Sequence, residues 1–497
     1  MLKTILLIIL TIVFLNSTLA ANAENNCCPE KNNKPGHTVN IDINSDKDKP
    51  EKESEHTVNI DINSDNNNPE IMPGTLFNYT KSIVELKKIE GINIYVINQN
   101  EDSRYNVGYA LGKCIMVNNP EYAKDLRAYL DNFYENQSQF NLEDVLEKIS
   151  NDMPCWIKQE LNGLSEALSI NNDQIKITLK DIILLNTVVL WTKIPKQPPQ
   201  APPAAPTSVT PIKNKNVLKS NLSPVTSVSD QVSLFISLDS TYVEEDFPVV
   251  LRTYSRYYND FFNKYPAVMI YNLDNVSFIN IGYAGLVTVL SGINNSGVII
   301  NSIQKPDQEN IKVIGATSPS INARIAIESA KSSLSGKEIL EKQISCLENV
   351  YLIVDNNAHY AVGAIVANTQ ESSMKEFISP GKMIIYNYPR EKSGSKRIGE
   401  LNRFEDLTTK LSFENIQNIF KSKLFYKTSD PNKYEHKNSV FNVIYNVKEK
   451  DIHLLMPRLN NPELDYRYAK IDLDDFKIIE SGNKINSQSI YEELFND

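Results

Sequence analysis

The chain has 497 residues, of which 41% are hydrophobic and 23% charged, which suits a globular protein with a sizeable core in one to three domains. Its net charge of −10 comes without a basic stripe, which argues against a nucleic-acid partner. Five cysteines without Cys-x-x-Cys spacing exclude a disulfide scaffold and a zinc motif, and leave room for one disulfide. With only five histidines, there is little material for a metal cluster or a Ser-His-Asp triad.

Residues 1–23 read as a cleaved signal peptide. Lys3 gives the positive start, Leu6 to Leu15 the apolar run, and Ala21-Asn22-Ala23 the small-residue cleavage site. The apolar run is short for a bilayer span, which needs roughly 20 residues, and no later segment is long and apolar enough. The expected mature protein is therefore exported (secreted, periplasmic or lumenal) and has no integral membrane span.

Residues 24–70 form a polar tail, expected to be disordered. It contains an identical tract twice, HTVNIDINSD at 37–46 and at 56–65. Each tract alternates Val, Ile and Ile with polar residues, a pattern that can add a short strand to a sheet edge.

A mostly helical segment is expected over 71–193. Ile83 to Ile97 read as a strand or a hairpin with Gly91 as the turn, and GYALGK (108–113) begins a helical region. Helical patterns follow at 120–135, 142–168 and 178–191, the last with Thr178 as N-cap and Asp181 in its first turn. Residues 194–230 are proline-rich, so neither continuous helix nor sheet pairing is possible there. They read as an exposed linker and a candidate processing region.

The segment 231–497 is strand-rich and is expected to complete the same domain. VSLFISLD pairs with FPVVLRTYSR, and PAVMIYNLDNVSFINIGYAG, LSGINNSGVIINSI, VYLIVDNNAHYAVGAIVAN and SVFNVIYNVKEKDIHLLM each read as paired strands. Two amphipathic helices, 321–333 and 336–347, lie between strand groups. The pattern predicts an α+β fold with helices packed on sheets.

Taken in order, GYALGK, QELNGLSEAL (159–168), ITLKDIILLN (177–186), FPVVLRTYS (247–255), the Gly-rich pair at 279–303, SVFNVIYN (439–446) and the strands after Pro457 resemble one family. These segments are similar to the N-terminal-nucleophile hydrolases of the acyl-coenzyme A:6-aminopenicillanic acid acyltransferase type, relatives of acid ceramidase and choloylglycine hydrolase. The resemblance spans roughly residues 80–480. It implies a four-layer αββα sandwich and a precursor that cuts itself before a cysteine. The freed residue then serves as both nucleophile and base, because its α-amino group titrates near ~7.7–8.0. No cofactor and no metal are implied. The implied partner is a small amide or acyl substrate.

Two catalytic-type positions depart from the family pattern. The cysteine position falls at Val232 or Ser233, and the aspartate that follows the return-strand arginine is Ser255. By resemblance the candidate site residues are Ser233 as nucleophile, Arg252 as the charge of the site, and Asn387 as an oxyanion donor. Gly282, Gly285 and Gly292 read as turn and packing positions, and Cys346 with His359 has no fixed mutual geometry. Two functions stay open. One is an exported amidohydrolase or acyltransferase acting on linear amides, processed before Ser233. The other is a degenerate relative that keeps the fold and binds a ligand without chemistry.

Overall fold

The computed structural model describes residues 37–42, 58–64, 83–89, 92–99, 103–136, 142–170, 175–188, 231–244, 248–257, 261–304, 317–343, 345, 349–355, 361–366, 376–379, 382–386, 410–421, 437–446, 451–457, 466–472 and 478–482. The leader, the proline-rich linker, Asn387, Cys346 and His359 lie outside the described residues.

The elements in chain order begin with strands β1 (His37–Asp42), β2 (Val58–Ser64), β3 (Val84–Ile89) and β4 (Ile92–Asn98). Five helices follow: α1 (Arg104–Asn118), α2 (Tyr122–Asn136), α3 (Leu142–Asp152), α4 (Cys155–Ile170) and α5 (Leu179–Val188). After the linker come β5 (Gln231–Leu238), β6 (Val249–Tyr257), α6 (Phe261–Lys264), β7 (Pro266–Asn272), β8 (Ser277–Tyr283), β9 (Ser291–Asn294) and β10 (Ile299–Gln304). Next are α7 (Pro319–Ser329), α8 (Ser333–Glu341), β11 (Asn349–Val354), β12 (Ala361–Val366), β13 (Glu376–Ser379), β14 (Lys382–Tyr386) and α9 (Phe413–Lys421). The last four are β15 (Lys437–Asn446), β16 (Asp451–Pro457), β17 (Tyr466–Asp472) and β18 (Ile478–Gly482).

The strands form two sheets. An eleven-stranded sheet runs β1-β2-β3-β4-β7-β8-β9-β10-β11-β12-β13, and a seven-stranded sheet runs β14-β5-β6-β15-β16-β17-β18. Strands from both sides of the linker share the larger sheet, because β4 pairs in parallel with β7. The predicted hairpins form as antiparallel pairs β3–β4, β5–β6, β7–β8, β9–β10, β11–β12 and β15–β16.

Period-two alternation puts successive residues of a strand on opposite sheet faces, and hydrogen bonds identify each face. On the larger sheet, Asn294 Nδ2 donates to the carbonyls of Ile327 (2.9 Å) and Ala330 (2.8 Å) at the end of α7. Tyr351 Oη donates to the Pro319 carbonyl at the start of α7, and Tyr95 Oη meets Asn118 of α1. That face is covered by helices. The other face of the larger sheet meets the smaller one, through Tyr445 Oη against Ser291 Oγ at 2.7 Å and Arg252 against the Ser302 carbonyl at 3.1 Å. The outer face of the smaller sheet carries His453, and α9 lies over it through Gln417 and Phe413. The layers are therefore helix, sheet, sheet, helix. This is the αββα order that the sequence resemblance implied.

Local sequence explains several departures from the predicted boundaries. The helix expected over 142–168 is two helices, since Pro154 cannot continue α3 and Cys155 opens α4 instead. The helices expected at 321–333 and 336–347 begin earlier, at Pro319 and Ser333, each behind a serine N-cap (Ser318 and Ser332). Helix α9 had no sequence prediction. At α5, Thr178 Oγ1 accepts from the Asp181 amide at 3.2 Å while Asp181 Oδ2 accepts from the Thr178 amide at 2.8 Å, the reciprocal pattern of a capping box.

Glycines of GYALGK and QELNGLSEAL have a packing role. A Cβ at Gly108 would stand 1.8 Å from the Glu160 carbonyl oxygen, and one at Gly163 would stand 2.0 Å from the Tyr105 carbonyl oxygen. Helices α1 and α4 thus touch backbone to backbone, which only glycine permits. Among the described residues Cys114 is a buried free thiol and Cys155 is disulfide-bonded.

Candidate functional site

The three sequence-predicted residues fare differently. Ser233 lies in β5 at the register position opposite Tyr254 of β6. Arg252, opposite Phe235, is the diagonal neighbour of that position, roughly 7–8 Å away along the ladder. Asn387 follows directly on β14, outside the described residues. The structure therefore brings Ser233 and Arg252 together at backbone level.

Arg252 is almost fully buried, at 1% exposure, between the two sheets. Its guanidinium lies over the Phe235 ring at 4.3 Å and near the Tyr254 ring at 5.8 Å. Nη2 donates to the Ser302 carbonyl, but Nε and Nη1 have no acceptor among the described residues. Burial lowers its pKa to about 9, against the opposing pull of the Tyr254 and Tyr445 phenols. A buried cation with two idle donors is costly, because its water has been removed without a paired anion in return. Such a group is suited to receive a negatively charged or carbonyl oxygen.

The sequence did not single out the polar residues opposite Arg252. Ser291 Oγ donates to Asn301 Oδ1 and meets Tyr445 Oη, all three side chains being buried. Burial raises the Tyr445 pKa above its ordinary value, so it is a neutral donor. Asn301 Nδ2 is another donor without an acceptor among the described residues. It lies next to Ser302, whose carbonyl holds Arg252. Their sequence signal is weak, since Ser291 and Asn301 read as ordinary polar residues of a Gly- and Asn-rich hairpin.

The backbone is also irregular here. The β6–β15 register shifts between Ser439, opposite Ser255, and Phe441, opposite Tyr254. Bulges of this kind often flank active sites, where they re-aim side chains. Ser255 is opposite Val232 of β5. The 232–233 peptide bond therefore lies within the β5–β6 ladder.

Two other polar clusters have structural roles. On the helix side of the larger sheet, Arg324 and Glu160 are fully buried. Arg324 donates to Glu328 (2.6 Å) and Glu160 (3.2 Å), and Arg104 pairs with Glu328 (3.0 Å). Burial lowers the Arg324 pKa, but the Glu160 and Glu328 carboxylates outweigh it and hold the guanidinium above its ordinary value. This network ties α1, α4 and α7 together. On the outer face of the smaller sheet, His453 Nε2 meets Asp451 and Nδ1 meets Gln417, each at 3.0 Å, which pins α9 to β16. Among the described residues there is no group of three side chains suited to a metal ion.

Asn186, in the last turn of α5, gives the Leu-Asn pair of that helix a physical meaning. Its Oδ1 accepts from the amides of Val287 (2.7 Å) and Thr288 (3.0 Å), and its Nδ2 donates to the Gly285 carbonyl (3.1 Å). The buried asparagine thus shapes the turn between β8 and β9, where Gly285 has φ of 81°. That turn leads straight to Ser291.

No family model matches the chain, and no match is found among curated proteins. Among solved structures the chain is similar to a Caenorhabditis elegans N-acylethanolamine-hydrolyzing acid amidase ortholog, at 9% identity and a TM-score of 0.33, over 42% of this chain and 91% of that one. It is similar to a penicillin V acylase from Agrobacterium tumefaciens at 11% identity and a TM-score of 0.30, over 48% and 86% of the two chains. It is also similar to a mutant conjugated bile acid hydrolase from Clostridium perfringens at 12% identity and a TM-score of 0.30, over 51% and 97%.

Proposed function

We propose that the chain is an exported amidohydrolase or acyltransferase acting on linear amide bonds, with its site between the two sheets around Arg252. The observation that carries this reading is the buried Arg252 guanidinium, with two donors idle, diagonal to Ser233 on the paired strands β5 and β6. The αββα layers and the family resemblance of the motifs support it. The signal-like leader and the disulfide at Cys155 support export to an oxidising compartment.

In this reading, cleavage of the 232–233 bond frees the Ser233 α-amino group. That amine takes the Oγ proton as Oγ attacks the amide carbonyl carbon. Arg252 and the donors of the Ser291–Asn301–Tyr445 cluster receive the negative charge that develops on the carbonyl oxygen or on an acidic group of the substrate. The C–N bond breaks, the amine leaves with the proton, and water or a second amine then takes the acyl group from Oγ. Asn387 is retained as a further oxyanion donor.

Two observations favour a second reading, in which the fold binds an acyl or amide ligand without chemistry. The family cysteine and aspartate are replaced, with Ser255 in the latter position. The bond to be cut also lies in a regular ladder rather than in a strained turn. Intact mass and amino-terminal sequencing of the mature protein separate the two. A chain starting at Ser233, lost together with amidase activity in Ser233→Ala, supports the enzyme. A single uncut chain, or cuts scattered over 195–230, refutes it.

A further inference from the structure

Strand register sets how far the polar residues between the sheets stand from Ser233. Residues paired directly across β5, β6 and β15 form rows. The first row is Ser233, Tyr254 and Phe441; the second is Phe235, Arg252 and Val443; the third is Ser237, Val250 and Tyr445. At ~3.3 Å per residue the second row lies roughly 7 Å from the first, and the third roughly 13 Å. The Arg252 guanidinium keeps to the second row, over the Phe235 ring at 4.3 Å. Tyr445 meets Ser291 from the third row. The Ser291–Asn301–Tyr445 cluster is therefore too far along the sheet to hold an oxyanion formed at Ser233, which needs donors within about 3 Å.

The hydrogen bonds of the cluster run in one direction. The Ser291 hydroxyl has one proton and gives it to Asn301 Oδ1, so Tyr445 Oη donates to Ser291 Oγ at 2.7 Å. With Oδ1 held there, the Asn301 amide points its Nδ2 protons elsewhere. Nδ2 has no acceptor, and neither have Nε and Nη1 of Arg252, whose Nη2 is tied to the carbonyl of Ser302, the next residue after Asn301. Asn301 is 0% exposed and Arg252 1%. The idle atoms are all donors, one side chain is a cation, and among the described residues no carboxylate pairs with it. Their complement is an acceptor with a single negative charge, since a dianion would leave one buried charge unpaired. A carboxylate is the monoanion that guanidinium and amide donors bind well.

We infer that the substrate carries a carboxylate at the end remote from its scissile amide, held by Arg252 and Asn301 roughly 7–13 Å along the sheet from Ser233. Tyr445 and Ser291 are positioning residues that aim the Asn301 amide at it. The inference rests on the amide-cleaving site proposed around Ser233 and names its substrate class. A chain as long as a suberoyl group spans the distance, and a succinyl group falls short.

The test is calorimetric binding to the purified chain. Suberamate and octanamide place the acid, or no acid, on the acyl side. N-acetyl-ε-aminocaproate and N-hexylacetamide do the same on the amine side. The acid is expected to bind about ten- to a hundredfold tighter than its neutral partner in at least one pair, and succinamate to gain nothing. Asn301→Asp sets an anion beside Arg252 and is expected to bring acid and neutral ligands within about twofold. Ser291→Ala frees the Asn301 amide to turn and is expected to cut the preference at least about fivefold, a ratio that a merely structural role would not move. Far-UV circular dichroism and thermal unfolding confirm that each variant is folded. Equal binding within both pairs, succinamate bound as tightly as suberamate, or a preference that survives either substitution overturns the inference. Acid-selective binding without cleavage of any of these amides supports the inference and refutes the hydrolase. Cleavage with no preference for the acid does the reverse.

Discussion

Replacing Arg252 by methionine separates a ligand-binding cation from a structural one. Burial lowers the Arg252 pKa to about 9, which corresponds to several kcal/mol of disfavoured charge, at ~1.36 kcal/mol per pKa unit. Arg252→Met relieves that cost. It also loses the charged hydrogen bond to the Ser302 carbonyl, about 1.5–3 kcal/mol. The stacking over Phe235 is worth about 2 kcal/mol more. The balance leaves the variant within about 2 kcal/mol of wild type, on the stabilised side, by urea unfolding at neutral pH. The pH dependence has a definite sign. Between the folded and unfolded pKa values the unfolded chain holds a proton that the folded chain has released, so wild-type stability rises with pH from about 9 upward. The variant lacks that rise. A carboxylate-bearing N-acyl amide should raise the wild-type melting temperature and leave the variant's unchanged. A loss of about 3–5 kcal/mol in Arg252→Met would refute the reasoning, because that is the cost of breaking a compensated buried ion pair.

Three further outcomes follow from the same geometry. Asn186→Ala strips the acceptor from the Val287 and Thr288 amides and should cost about 3 kcal/mol in urea unfolding, with loss of site function; a change under about 1 kcal/mol would show the turn to be held otherwise. Glu160→Ala leaves Arg324 with one carboxylate in a fully buried position and should cost about 3–5 kcal/mol, measured the same way. Burial raises the Asp451 pKa, but hydrogen bonds from His453 and Lys470 outweigh it and hold the carboxyl below its ordinary value. The stabilisation is therefore present above about pH 3.8 and lost as pH falls through the lowered value. Asp451→Asn should flatten the acid limb of the stability–pH curve, and an unchanged limb would remove Asp451 from the account.

Most of the elements are legible from local rules. Alternation marks the hairpins, and glycine and polar turns place their joints. The Thr178–Asp181 cap is readable because a cap is made within one turn. Pro154 stands in the middle of an apolar helical run whose period continues across it, so the run reads as one helix where proline makes two. Helix α9 escapes a sequence reading because a short amphipathic stretch gives little signal until the sheet beneath it is known.

The sequence by itself determined most of the strands and helices, because those depend on residue identity and on period. It also marked Arg252, by its place on the return strand. Only the tertiary structure decided that Arg252 is buried with idle donors and that Ser291, Asn301 and Tyr445 stand across from it. Each of these depends on which sheet face meets which and on strand register. One residue of slippage would reverse every facing side chain without changing the sequence pattern that predicts a strand.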